Sequence, residues 1–205
     1  MDIRRLGKRI LYLSGYYLFR LAVFLFWRRE TIGAENVPLN GPVIIASNHI
    51  SLADPPIIGC SVRRELHFAA KKELFEIPFF GWLITQVNAI RVNRGSTDFK
   101  AVREILTVLE NGGGMIIFPE GTRHKPGKLG KPKQGVGFMA RQSKASIVPT
   151  LIMGSDKIKR FKKIRIYFSK PITFENIQKA ELSDKEITDR VMEEIEQMYK
   201  KYRLD

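Results

Sequence analysis

A single α/β domain with a central, largely parallel or mixed sheet flanked by helices is predicted by three features of the sequence. Short apolar runs rich in β-branched residues, among them VIIA, MIIF and SIVPTLIM, alternate with stretches of helical periodicity. Those runs are apolar throughout rather than at every second residue, the pattern of strands buried on both faces. The chain has 205 residues, enough for one sizeable core plus a short extension.

The first element is the extension. MDIRRLGKR carries four basic residues and leads into ILYLSGYYLFRLAVFLFW, whose only charge is Arg20. As a helix these 18 residues span roughly 27 Å, short of a bilayer core of about 30 Å. Cations flank both ends (Arg4, Arg5, Lys8 and Arg9, then Arg28 and Arg29), which favours a helix lying in or half-inserted into the interface. No small-x-small cleavage pattern precedes WRRE, so a signal peptide fits less well. An amphipathic helix packed on the body is the alternative. Residues 1–32 are assigned to this membrane-associating helical segment and residues 33–205 to the α/β domain.

After turn chemistry at Gly33, Pro38 and Gly41, PVIIAS reads as a buried strand. Ser51 opens an S-x-x-D pattern like a capping box, and Pro55 and Pro56 before IIGCSV predict a short, irregular helix. Strands follow around Leu66–Ala70 and Ala89–Val92, separated by a basic turn. From Ser96 to Asn111, Phe99, Val102, Ile105, Leu106 and Leu109 recur at helical spacing, and Gly112 is a stop signal. MIIF (115–118) and SIVPTLIM (146–153) are further strands, KKIRIYFSKPITF an alternating one. A last helix opens at S-D-K-E (183–186), with Ile187, Val191, Ile195, Met198 and Tyr202 on one face. Two stretches are basic loops: RHKPGKLGKPK (123–133) and KIKRFKK (157–163).

Lys and Arg number 35 against 21 Asp and Glu, a net charge of +14, so an anionic partner is expected: nucleic acid, an acidic membrane surface or a phosphorylated substrate. One cysteine, Cys60, excludes an intramolecular disulfide and most cysteine metal sites, and suits a reducing compartment. There is no H-E-x-x-H, no G-x-x-x-x-G-K-[ST] and no G-x-S-x-G. No metal or cofactor is called for.

The chemistry-bearing stretches each follow a predicted strand: NHISLAD after VIIA, AKKEL after HFAA, PEGTR after MIIF. In open α/β sheets, ligands bind at the carboxyl ends of the strands, where loops converge. His49 and Asp54 would lie about 140° apart on one continuous helix, so pairing them requires a bend, which SLADPP supplies. A carboxylate on Nδ1 would fix the tautomer and leave Nε2 as a general base; the competing reading is that Asp54 only caps a helix. FPEGTR offers a glycine that lets backbone approach a ligand and, in Arg123, a planar fork suited to phosphate. Glu120 fits beside them as an acceptor from Arg123, from a backbone amide or from a substrate hydroxyl.

Taken in order, NHISLADPP, AKKELFEIPFFGW, NAIRVNRG, FPEGTR and IVPT resemble the glycerolipid acyltransferase family, closest to its bacterial 1-acylglycerol-3-phosphate acyltransferases. The resemblance covers roughly residues 41–150. It implies a membrane-associated enzyme that moves an acyl chain from acyl-CoA or acyl-carrier protein to the 2-hydroxyl of lysophosphatidic acid, giving phosphatidic acid. It implies His49 and Asp54 as the catalytic pair, and Lys71, Arg94, Glu120, Gly121 and Arg123 as the site for the substrate phosphate. Pro149 falls in the fourth motif. Where the family's second motif reads glycine, apolar residues and aspartate-arginine, this chain has Asn88 to Arg94, which leaves Arg91 as an alternative to Arg94. The expected place is the cytoplasmic face of the cell membrane, on an anionic surface, and no nucleic acid is expected. Two alternatives stand beside this reading: the same chemistry on glycerol 3-phosphate or another lysophospholipid, and a non-enzymatic basic protein bound to membrane or nucleic acid.

Overall fold

The computed structural model describes residues 14–15, 21, 29–93 and 98–203. The membrane-associating segment expected over residues 1–32 therefore lies almost wholly outside the described residues, as does Arg94. Among the described residues, seven strands form one sheet: β1 (Glu30–Ile32), β2 (Val43–Ser47), β3 (Leu66–Lys71), β4 (Ala89–Val92), β5 (Gly114–Ile117), β6 (Ser146–Met153) and β7 (Arg165–Phe168), in the order β1-β7-β6-β2-β5-β3-β4. Every pairing is parallel except β6 with β7.

The sheet is buried on both sides, which explains the unbroken apolar runs. Along β2, Ile44 and Ala46 enter one core layer while Val43 and Ile45 enter the other. Ile147 and Leu151 of β6 separate from Val148 and Ile152 in the same way. The first layer is closed by α3 (Phe99–Glu110), α4 (Gly135–Ser143), α5 (Phe174–Lys179) and α6 (Asp184–Tyr202); the second receives Ile57 and Ile58 of α1 (Asp54–Gly59). Helix α2 (Phe80–Gln86) lies between β3 and β4 in the chain.

Sequence and structure differ at a few ends. Glu30–Ile32 is not part of a helical extension but an edge strand, with Thr31 opposite Ile166 of β7. Helix α3 starts at Phe99, where the Asp98 carboxylate accepts from the Ala101 N–H at 3.1 Å, and Ser96 lies outside the described residues. Strand β7 does not alternate: Ile166, Tyr167 and Phe168 are all buried. The capping box at Ser183 is present, with Glu186 Oε2 accepting from the Ser183 N–H at 2.9 Å.

Helix α4 escapes the periodicity argument because Gly135 and Gly137 sit in it. Gly137 is required by the packing: a Cβ there would lie 2.0 Å from the Asp184 carbonyl oxygen at the start of α6. Gly137→Ala is thus expected to wedge α4 from α6 and lower stability by about 2 kcal/mol. Denaturant unfolding with an unchanged midpoint would contradict that close approach.

Topology sets the site. From β2 the chain passes through α1, on one face, to β3 beyond β5; from β5 it passes through α4, on the other face, to β6 beyond β2. Adjacent strands whose connections leave toward opposite faces open a crevice between their carboxyl ends. Residues 48–53 and 118–134 line that opening.

Candidate active site

His49 follows β2 directly, and its main chain is held from both sides by the segment after β5. Its N–H donates to Glu120 Oε1 at 3.1 Å, and its carbonyl accepts from the His124 N–H at 2.8 Å. Its ring stacks on Phe118, with centroids 3.9 Å apart and an interplanar angle of 16°. One residue earlier, Asn48 mimics a further rung of the sheet: its Nδ2 donates to the Ile152 carbonyl at 3.0 Å, and its Oδ1 accepts from the Ile152 N–H at 2.8 Å. The imidazole thus sits on a fixed backbone, 6% exposed.

Asp54 opens α1 and is wholly buried. Its Oδ2 lies 2.8 Å from His49 Nδ1 and accepts from the Ile50 and Ser51 N–H groups at 2.7 and 2.8 Å. Its Oδ1 accepts from the Ser155 hydroxyl at 2.5 Å. The carboxylate therefore both orients the histidine and ties off the turn that precedes α1; the two readings of Asp54 are one geometry. Because two backbone donors already converge on Oδ2, that oxygen carries no proton, and the hydrogen shared with His49 sits on Nδ1. Nε2 is left with its lone pair. Of the three histidines, only His49 has this arrangement: His67 lies in β3, where burial lowers its pKa, and His124 Nε2 is 3.6 Å from Glu120 Oε2.

Glu120 is buried, and its carboxylate is taken up by backbone amides. Oε1 takes the His49 N–H and Oε2 takes the Gly130 N–H at 2.5 Å, so the side chain stitches both ends of the basic loop to the turn that carries His49. Of the acceptor roles open to it, the backbone amide is the one observed. Gly121 is the residue that lets this loop turn: its φ is +69°, its N–H donates to the Phe118 carbonyl at 2.9 Å, and the Lys133 side chain lies over it. A side chain at 121 would meet Lys133.

Among the cations named from the sequence, Arg123 lies in the segment that lines this opening. Arg123 is exposed and makes no hydrogen bond or ion pair among the described residues. Lys71 ends β3, at the same edge of the sheet, and pairs with Glu73 at 2.9 Å; that contact holds the Glu73 carboxyl below its ordinary pKa. Arg91 is opposite Ala70 in the register, so it faces the other side of the sheet from Lys71, and its guanidinium lies over the Phe75 ring at 4.8 Å. The structure does not bring Arg91 together with Lys71. In the second basic cluster, Lys163 pairs with Glu30 at 2.7 Å.

Sequence reading missed Ser155, Phe118 and Asn48 as site residues. Asn48 adjoins His49 and was open to notice. Ser155 is 101 residues from its partner, and nothing local marks it.

The arrangement is a buried carboxylate–imidazole pair with one nitrogen available as a base, in a crevice rimmed by cations and by backbone. Comparison with known proteins adds a family. A sequence profile of the acyltransferase family matches residues 28–153. The 1-acyl-sn-glycerol-3-phosphate acyltransferase of Helicobacter pylori is 31% identical over 169 residues, covering 73% of this chain and 69% of that protein. A chloroplastic relative of the same name from Arabidopsis thaliana is 29% identical over 67% of this chain, which spans only 39% of that protein's length. The crystal structure of the 1-acyl-sn-glycerophosphate (LPA) acyltransferase from Thermotoga maritima superposes with a TM-score of 0.81 at 26% identity, over 100% of this chain and 85% of that one.

Proposed function

We propose that this chain, which belongs to the acyltransferase family, transfers an acyl group from acyl-CoA or acyl-carrier protein to the 2-hydroxyl of lysophosphatidic acid, forming phosphatidic acid. The observation that carries the reading is the His49–Asp54 pair at 2.8 Å, placed where the strand ends converge. His49 Nε2 takes the proton of the acceptor hydroxyl as its oxygen bonds to the thioester carbonyl carbon. The tetrahedral intermediate then collapses, the carbon–sulfur bond breaks, and the thiolate leaves with the proton returned by His49. Asp54 steadies the imidazolium between those two transfers. No acyl-enzyme is needed.

Arg123, with Lys71 and Arg94, holds the acceptor's phosphate; Glu120 and Gly121 serve that site by shaping the loop. The cytoplasmic face of a membrane is the proposed place of work, reached through residues 1–29 and the basic stretch at Lys157–Lys163. Among the described residues, no helix is long and apolar enough to cross a membrane. A basic protein that merely bound membrane or nucleic acid would have no use for a buried histidine–aspartate pair that keeps one imidazole nitrogen open.

The test is an assay offering lysophosphatidic acid, glycerol 3-phosphate, lysophosphatidylcholine and monoacylglycerol with each donor. Transfer to lysophosphatidic acid is expected to dominate, and its absence with both donors would overturn the assignment. Arg123→Ala is expected to raise the KM for the phosphorylated acceptor about tenfold or more while changing kcat less, as loss of one charge-assisted contact implies. An unchanged KM would remove Arg123 from the phosphate site.

A further inference from the structure

The connection leaving the carboxyl end of β3 carries a surface that the reaction does not use. Between the 3-10 turn Lys72–Glu76 and the end of α2, Ile77, Phe79, Phe80, Trp82 and Leu83 are all exposed, Phe79 by 75% and Trp82 by 51%. Phe79 and Trp82 stack, with centroids 5.9 Å apart. Only Gly81 and Ile84 of α2 face inward. The backbone forces this division: a Cβ on Gly81 would lie 2.1 Å from the Phe75 carbonyl oxygen, so the helix presses its bare side on the turn and turns its large side chains outward. Phe79 is moreover held at φ +62°, a conformation that costs a residue with a side chain about 1 kcal/mol or more. Strain retained to present a phenyl ring to solvent implies that the ring has a partner.

We propose that this apolar ridge inserts into the headgroup and upper acyl region of a bilayer containing anionic lipid. Five large apolar side chains within seven residues, a tryptophan among them, is the composition of an interfacial contact. The chemistry around it is complementary to such a surface. The stretch 71–93 carries Lys71, Lys72 and Arg91 against Glu73 and Glu76, on a chain of net charge +14. The ridge also belongs to the sheet edge that carries His49, so a lipid acceptor reaches the crevice from the bilayer. In choosing lipid as the occupant, the inference rests on the proposed function.

The test uses the full chain with Trp27→Phe, which leaves Trp82 as the sole tryptophan of the two. Vesicles of phosphatidylcholine and phosphatidylglycerol with brominated acyl chains are added. Trp82 emission is expected to shift to the blue and to be quenched, and Ile77→Ser with Phe79→Ser should reduce the quenching at saturating lipid about twofold or more. Unquenched Trp82 in vesicle-bound chain overturns the proposal, as does quenching that the serine variant leaves undiminished. Emission already blue and shielded from acrylamide without vesicles also overturns it, since the ridge is then covered by the chain itself or by a second copy. Acyl transfer is not read. A chain that inserts but is inert toward lysophosphatidic acid would refute the proposed function and leave this inference standing.

Discussion

His49→Ala is expected to lower kcat for acyl transfer about a thousandfold or more, with little change in acceptor KM and none in fold. Both proton transfers of the proposed reaction pass through Nε2, and a positioned general acid–base group contributes roughly 10²–10⁴ in rate. The fold should survive because the two backbone bonds of residue 49, to Glu120 and from His124, do not involve the ring, and Asp54 keeps three other donors. The lost stacking on Phe118 bears on stability only modestly. Steady-state kinetics beside a circular dichroism melt decides the matter. Turnover within tenfold of the parent chain would exclude His49 as the base.

Asp54→Ala is expected to do more damage, because it removes a structural hub along with the histidine's orienting group. The Ile50 and Ser51 N–H groups and the Ser155 hydroxyl would lose their acceptor in a buried place. At about 1–3 kcal/mol per unsatisfied buried group, the loss is about 3 kcal/mol or more. Asp54→Asn should separate the two roles. Two backbone donors demand an oxygen at the Oδ2 position, so the new amide must place its oxygen there and its nitrogen toward Ser155, whose hydroxyl turns to accept. The His49 tautomer is then retained, and what is lost is the negative charge that stabilises the imidazolium. The asparagine variant is expected to melt near the parent chain yet turn over about a hundredfold more slowly. An asparagine variant as active as the parent would show that the charge of Asp54 has no part in catalysis.

Much of this was legible in the sequence where one physical cause acted alone. Strands β2 and β6 were read nearly to the residue, since strands covered on both faces are apolar along most of their length, and VIIA and most of SIVPTLIM are. The short edge strand β1 was not, because Glu-Thr-Ile carries no pattern and becomes a strand only by lying against β7. Helix α4 was hidden by Gly137, a residue chosen for the approach of α6 rather than for helix propensity. At the site, His49 and Asp54 are close in sequence, and their turn residues announced a bend that could join them. For Glu120 three partners stood open, and only the folded loop shows that backbone amides take its carboxylate, since a motif shows which residues travel together and not which way a carboxylate points. Ser155 depends on how β6 ends beside β2, a fact of topology with no local trace.

The order of the strands has one more consequence. The sheet ends on one side in β1, of three residues, and on the other in β4, of four. A strand that short leaves too few unpaired amides and carbonyls to template another chain's strand, and the long, flat, aggregation-prone edge never appears. The longest strand, β6, and the most deeply buried, β2, are both interior. Wherever many copies are crowded together, association by sheet extension is thereby discouraged.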